Sequence, residues 1–297
     1  MTLDLLVFGD TAIDNFYEVD RLPKKDDAVD VSSSRRYYGG MGANTAVVAN
    51  SLGLKVGLCS VIGTDAEDYR NYLDNLGIKL YLKGIFGDTT KSMFFRNDDE
   101  QVSFFYKGVT EKLDELNPKK EFGKNLEPSV KTIYMARTYL ELQKKAFKQF
   151  PKAKSVYNPG YGTFKFESIP TGFKTLMNTS NTLVLNEHEL DHLKKIGYKL
   201  KPKPTQTVII TRGSQGARVY LKNSRLDIPT YKVKAKDVAG AGDAFNAGLI
   251  AGSKMGLDTV ESVRFANACA SFIVESWGCQ TNVPNLDQVI ERYEKLR

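Results

Sequence analysis

An α/β fold is predicted: one mostly parallel sheet covered by helices on both faces, with a small second sheet laid over it. Three observations predict it. Short apolar runs of strand character alternate with helical patterns along most of the 297 residues, which is the rhythm of βα units on a parallel sheet. Two glycine-rich turns, at 39–44 and 237–243, each run straight into a helix of small apolar residues. Two segments, 15–38 and 91–107, break the rhythm with strand-like runs and no helix between them.

Residues 3–8 form a short apolar run closed by Gly9-Asp10, as a buried strand ending in a turn does. Residues 44–52 are small and apolar and stop at Gly53, which predicts a packed helix. A strand over 55–62, a helix over 66–76 ending at Gly77 and a strand over 78–82 follow. The second half repeats the pattern, with strands at 131–136, 153–157, 182–185 and 207–211 and helices between them, such as one over 187–196. Helical patterns at 241–255 and 259–275 come last. In the two interruptions, residues 28–34, 92–96 and 101–106 read as strands. The latter two flank Asn97-Asp-Asp-Glu100, which predicts a β-hairpin. The expected division is a core of 1–14, 39–90 and 109–297, with 15–38 and 91–108 forming a candidate lid.

Hydrophobic residues at 41% and charged residues at 26% exclude a disordered chain. The net charge is +7, from 42 Lys and Arg against 35 Asp and Glu. The basic residues are scattered rather than run together, so an enzyme of anionic ligands is expected, not a nucleic-acid binder. No stretch reaches the length of a membrane span, and the N-terminus reads as a strand rather than a signal peptide. Cys59, Cys269 and Cys279 lack metal-ligand spacing, which fits a reducing cytoplasm. His188 and His192 stand one helical turn apart with no third ligand in view, and read as a surface pair.

Four motifs carry chemistry. In Asp237-Val-Ala-Gly-Ala-Gly-Asp243, small residues lead into a helix whose first N–H groups lack partners and suit an anion. Asp243 at that point could take a proton from an attacking hydroxyl, or simply favour the helix dipole. Gly39-Gly-Met-Gly-Ala-Asn44 is a second such turn; it lacks the P-loop and Rossmann spacings, and Asn44 offers a donor and an acceptor to a sugar hydroxyl. Asp14 follows the first strand, where ligands of open α/β sheets bind, and reads either as an acceptor for a vicinal diol or as an exposed turn carboxylate. Asn186-Glu-His-Glu189 ends a strand, with oxygens that suit Mg²⁺ or its waters, or an ordinary acidic first turn of a helix.

In this order, the motifs resemble the two signatures of the ribokinase, or phosphofructokinase-B, carbohydrate kinases. The first resembles Gly39-Gly40-x-Gly42-x-Asn44-x-Ala46, with Gly53 and Gly63 beyond; the second resembles Asp237-Val238-x-Gly240-Ala241-Gly242-Asp243, ending Ala247-Gly248-Leu249-Ile250. The resemblance runs from Gly9 to about Pro284. It implies a ribokinase-like α/β core with a small β-sheet lid, and ATP with Mg²⁺ as phosphate donor. It implies Asp243 as general base and the N–H groups of Ala241, Gly242 and Asp243, capped by Gly240, as the anion hole. Asn186 and Glu189 match the Asn-x-x-Glu motif for Mg²⁺ and phosphates, and Asp14, Gly40 and Asn44 the positions that hold substrate hydroxyls. Thr211, Gly213 and Gly216 fall where such kinases line the nucleotide site, and Asn267 near the adenine position. Arg137 ends a core strand and reads equally as a substrate or phosphate contact and as a structural ion pair.

Two departures stand out. Asp68 replaces the last glycine of the Gly-x-Asp-x-x-Gly pattern, and Asn158-Pro-Gly160 stands where many members have Asp-Pro-Asn, closer to archaeal nucleoside kinases. The expected acceptor is a nucleoside. A sugar, sugar acid, sugar phosphate or inositol is the alternative, and a non-catalytic sensor of the same fold the second. Lid sheets of this family often pair between subunits, so a homodimer is expected.

Overall fold

The computed structural model describes residues 2–97, 100–126, 128–221 and 224–295. The chain opens with β1 (Leu3–Phe8), buried along its whole length, as a strand covered on both faces must be. After the small-sheet strands β2 (Ala12–Val19) and β3 (Val31–Gly39) come α1 (Met41–Ser51), β4 (Val56–Gly63), α2 (Glu67–Asn75) and β5 (Lys79–Ile85). The hairpin strands β6 (Thr90–Arg96) and β7 (Gln101–Tyr106) follow, then a short α3 (Pro118–Phe122). The second half runs β8 (Val130–Ala136), α4 (Leu140–Gln149), β9 (Lys154–Asn158), α5 (Thr171–Thr179), β10 (Thr182–Asn186), α6 (Glu187–Lys195) and β11 (Thr207–Thr211). It ends with β12 (Ala217–Leu221), β13 (Ser224–Ile228), α7 (Ala241–Lys254), α8 (Thr259–Ile273) and α9 (Leu286–Glu294).

The main sheet has the order β13-β12-β11-β10-β9-β8-β1-β4-β5. β5 to β11 are parallel, and the β12–β13 edge is antiparallel. One apolar cluster, with residues of α1, α7 and α8, fills one face; a second, with residues of α4, α5 and α6, fills the other. Each fully buried Leu, Ile or Phe in these layers contributes about 1.5–3 kcal/mol.

The chain starts at β1 and adds β4 and β5 on one side. It then returns to place β8 to β11 on the other. The strand order therefore reverses between β1 and β8, and a crevice for ligand opens beyond their carboxyl ends.

The small sheet has the order β3-β2-β6-β7. β6 and β7 pair antiparallel as the predicted hairpin; its central Asp98 and Asp99 lie outside the described residues. Three expectations need correction. β2 begins at Ala12, so Asp14 sits on a strand of the small sheet, not in a turn of the core. α1 begins at Met41, which places Asn44 inside the helix. The β12–β13 hairpin, α3 and α9 were not among the named elements, while α4 and α5 fill the helical gaps expected between the strands at 131–136, 153–157 and 182–185.

Asp68 finds its use here. It opens α2 and accepts from Arg36 Nη1 at 2.7 Å and from the Tyr38 hydroxyl at 3.0 Å, both on β3. The carboxylate that replaces a glycine thus ties a strand of the small sheet to a helix of the core.

Candidate active site

The crevice is built by residues that leave the ends of parallel strands. Asp10 follows β1 and is buried; Arg137 follows β8 in the left-handed region, at φ 63°. Arg137 Nε lies 2.6 Å from Asp10 Oδ2, so the ion pair bridges the two strands where their order reverses. Burial opposes the guanidinium charge, yet Asp10 holds its pKa above the ordinary value. Gln143 of α4 donates to the carbonyls of Ala136 and Arg137, at 3.0 and 2.9 Å, and holds this strained residue in place.

α7 enters the crevice from Gly240, whose φ of 76° a residue with Cβ rarely adopts. A Cβ there would also stand 2.7 Å from Cys279 Cβ. No side chain caps the helix. The Ala241 N–H donates to Val238 O at 3.3 Å, so it is turned away from the role expected of it. The N–H groups of Gly242 and Asp243 belong to the first turn, which has no intrahelical acceptors. A Cβ on Gly242 would meet nothing within 4 Å. The helix start is therefore uncrowded beside Gly242, at the positive end of the helix.

Asp243 is 7% exposed. Asn44 Nδ2 donates to its Oδ2 at 2.8 Å. Burial pushes its carboxyl up to about 7, against the hydrogen bond from Asn44. Gln280 Nε2 donates to Asn44 Oδ1 at 2.8 Å and to the Tyr69 hydroxyl at 2.8 Å, and Tyr69 donates to Gly39 O at 2.8 Å. This chain fixes the amide orientation of Asn44, so that its NH₂ faces the carboxylate.

Asp14 is buried on β2. Gly39 makes room for it: a Cβ at that position would fall 2.1 Å from Asp14 Oδ2. Burial pushes the Asp14 carboxyl up to about 6, against a hydrogen bond from Ser92 and the charge of Arg137. The Cys279 thiol lies 3.8 Å from Asp14 Oδ2. Cys279 thus touches both Asp14 and the start of α7. Gly40, at φ 97°, caps α1 where a Cβ would stand 2.7 Å from Asp10 O.

Asn186 and Glu189 form a closed capping box at the start of α6. Asn186 Oδ1 accepts from the Glu189 N–H at 2.8 Å, Glu189 Oε2 from the Asn186 N–H at 3.0 Å, and Glu189 Oε1 from Asn186 Nδ2 at 2.7 Å. Burial pushes the Glu189 carboxyl up to about 7, against the Asn186 backbone donor. Each carboxylate oxygen keeps a spare acceptor site, so the pair fits a cation's water shell better than direct ligation. Among the described residues, no three His, Cys, Asp or Glu gather to hold a metal. His192 instead meets Phe166 O at 3.1 Å and the ring of Phe164.

Thr211 stands beside Asn186 across the β10–β11 register. Gly213, at φ 54°, follows it in open space. Gly216 is required by close approach, since a Cβ would fall 2.1 Å from Ile228 O. Asn267, buried in α8, donates to Pro229 O at 3.0 Å. The structure therefore places Asp14, Asn44, Asp243 and Arg137 around one crevice, with Asn186, Glu189 and Thr211 at neighbouring strand ends. Sequence reasoning missed Gln280, Cys279, Tyr69 and Gln143. They come from other parts of the chain, and no local pattern marks them.

A parallel α/β sheet with a buried carboxylate at an uncapped helix N-terminus, in the crevice where strand order reverses, defines an enzyme that moves an anionic group onto a hydroxyl. The chain belongs to the pfkB family of carbohydrate kinases, whose pattern it matches over residues 2–286. It is an enzyme that transfers phosphate to a hydroxyl group. It is 32% identical over 306 residues to a nucleoside kinase of Methanocaldococcus jannaschii, covering 97% of this chain and 96% of that one. The crystal structure of a nucleoside kinase from the same organism superposes with a TM-score of 0.88 at 30% identity, covering 99% of both chains. The fold is shared with the nucleoside kinase of Burkholderia thailandensis in complex with ADP-inosine, at a TM-score of 0.82 and 21% identity, covering 98% of this chain and 95% of that one.

Proposed function

We propose that this enzyme is a nucleoside kinase that uses ATP with Mg²⁺. The observation that carries the mechanism is Asp243, a buried carboxylate set at the open N-terminus of α7 and oriented by Asn44. The acceptor hydroxyl attacks the γ-phosphorus in line, and Asp243 takes its proton. The N–H groups of Gly242 and Asp243 stabilise the charge on the transferring group. Asn186 and Glu189 would hold the waters of Mg²⁺, which when bound offsets phosphate charge. Thr211, Gly213 and Gly216 line the nucleotide side, with Asn267 near the base. Asp14 and Asn44 hold acceptor hydroxyls beside Gly40, and Arg137 keeps Asp10 in place and lends its positive field.

The parity of the small sheet supports a nucleoside. Asp14, Ser92 and Phe105 stand side by side across β2, β6 and β7, and so share one face. Phe105 reaches Tyr161 of the core, with ring centroids 5.4 Å apart. Both rings are about half exposed, and offer an apolar platform for a base beside the carboxylate that holds the sugar. The small sheet, 15–38 and 91–108, then acts as a lid over the core of 1–14, 39–90 and 109–297, and its closure excludes water. Phe104 and Tyr106 point from the opposite face and are 54% and 51% exposed. They support a homodimer through the lids. Three free, buried cysteines support a cytoplasmic location.

The test is ADP release with ATP and Mg²⁺ over nucleosides, pentoses, hexoses, sugar acids, sugar phosphates and inositol. Turnover with a nucleoside is expected. Turnover only with a sugar or polyol would move the acceptor class, and silence across the panel would favour a sensor. The pH profile is a second check. Asp243 must be ionised to accept a proton, and in the free enzyme its carboxyl lies at about 7. The value of kcat/KM is expected to fall about tenfold per pH unit below that point. Asp14, at about 6, steepens the fall further down. A profile flat down to the ordinary carboxylate range would remove Asp243 as the base.

A further inference from the structure

A second cleft, of ≈ 590 Å³, opens at the other end of the main sheet. That volume falls within the range of small-molecule sites, about 300–1,000 Å³. Strand direction fixes its position. Val130, Thr182 and Thr207 line it and are the first residues of β8, β10 and β11. Asn186 and Thr211, in the crevice, are the last residues of β10 and β11. α7 joins the two ends, because Asp243 lies in its first turn and Lys254, its last residue, lines the cleft. At about 1.5 Å per residue the two are roughly 16 Å apart. A molecule bound here is therefore out of reach of the base.

The lining is unevenly charged. Lys131, Lys152, Lys154 and Lys254 all contribute to it, against one carboxylate, Asp4. Asp4 is buried and shared: Lys131 Nζ lies 3.0 Å from Oδ1 and Lys254 Nζ 2.6 Å from Oδ2. Lys152 and Lys154 meet no carboxylate among the described residues. Four ammonium groups and one carboxylate leave a concave surface of charge +3. Packing does not require this arrangement, and self-repulsion opposes it, whereas an anion would be drawn to it. The lining also has an apolar part, in which the half-buried Val130 and Leu257 join Val156 and Leu249. Cations beside an apolar lining suit a ligand that carries both a phosphate and an apolar body.

We propose that this cleft is a second ligand site, for a small phosphorylated molecule. Its phosphate sits among Lys131, Lys152, Lys154 and Lys254, and its apolar part lies against Val130, Leu257 and the edges of Val156 and Leu249. The site does not depend on the identity of the phosphoryl acceptor.

The experiment reads each lysine separately. The full-length protein is treated with a water-soluble acetylating reagent, alone and with millimolar AMP or inorganic pyrophosphate, and modification is quantified by peptide mass spectrometry. AMP is expected to slow modification of Lys152 and Lys154 at least about threefold, while Lys119 on α3 is unaffected; high salt reverses the protection, as it must for exposed ion pairs. In the double variant Lys152→Gln/Lys154→Gln, protection of Lys254 is expected to need about tenfold more AMP, the loss expected from two partly exposed charge contacts. Pyrophosphate that protects as well as AMP would overturn the apolar half of the site. Unchanged labelling of Lys152 and Lys154 with both probes would overturn the site itself.

Discussion

Asp243→Asn is expected to lower kcat by about 10²–10⁴-fold, the range for loss of a positioned general base. The substitution keeps shape, and Asn44 Nδ2 can still donate to the remaining side-chain oxygen that replaces Oδ2. The backbone donors of α7 are untouched, so ATP affinity should change little. What disappears is the carboxylate at the open helix start that can take a proton. Retention of more than about a tenth of wild-type kcat would overturn the assignment.

The same variant carries a stability signature. The Asp243 carboxyl is raised to about 7 in the folded protein, above its unfolded value near 3.9. The contribution of a group raised in this way is fully present below its unfolded pKa and is lost as pH rises through the folded one. Urea unfolding should therefore show Asp243→Asn gaining on wild type between about pH 4 and pH 7. A constant difference over that window would mean that the carboxyl is not raised. Catalysis and stability then pull in opposite directions at one residue: the ionised form that the reaction needs is the form that burial penalises.

Asp14→Ala is expected to raise the acceptor KM so that kcat/KM for the acceptor falls about 10²-fold or more, with little change in KM for ATP. A hydrogen bond to a charged group contributes about 1.5–3 kcal/mol, and a carboxylate facing a vicinal diol accepts two. The direction follows from where Asp14 stands. It lies on β2 of the small sheet, in line with Ser92 and Phe105 and away from the Asn186 and Thr211 side of the crevice. Removing it leaves space beside Gly39, where its carboxylate had been packed. An equal rise in KM for acceptor and ATP would mean that Asp14 serves the site as a whole and does not read the acceptor.

The local motifs were legible because their chemistry is local. The Gly240-Ala-Gly242-Asp243 turn opens a helix, since its glycine takes a left-handed φ and its small residues leave the backbone of Gly242 uncrowded. The alternation of strands and helices was legible because a doubly covered strand must be mostly apolar, as β1 and β4 are apart from Asp4 and Ser60. The Asn186–Glu189 pair was read as either a cation site or a helix start. In the structure it forms a closed capping box in which each Glu189 oxygen keeps a spare acceptor site.

Partnerships between distant segments were not legible. Nothing near Asn44 indicates that Gln280 sets its amide, or that Tyr69 carries that constraint to Gly39. Nothing near Arg137 indicates that Asp10, 127 positions earlier, lies 2.6 Å from its Nε. Asp68 read as a lost glycine, and became a tie to Arg36 and Tyr38 only once β3 lay against α2. By itself, then, the sequence determined the α/β class and the two glycine-rich helix starts, and it marked Asp243 as the candidate base, because each depends on backbone conformation within a few residues. The tertiary structure alone decided which carboxylates are buried, and so how strongly each is pushed toward neutrality. It also decided which face of the small sheet looks into the crevice. Desolvation and strand parity depend on what packs above a residue, and here that covering comes from segments up to 265 positions away.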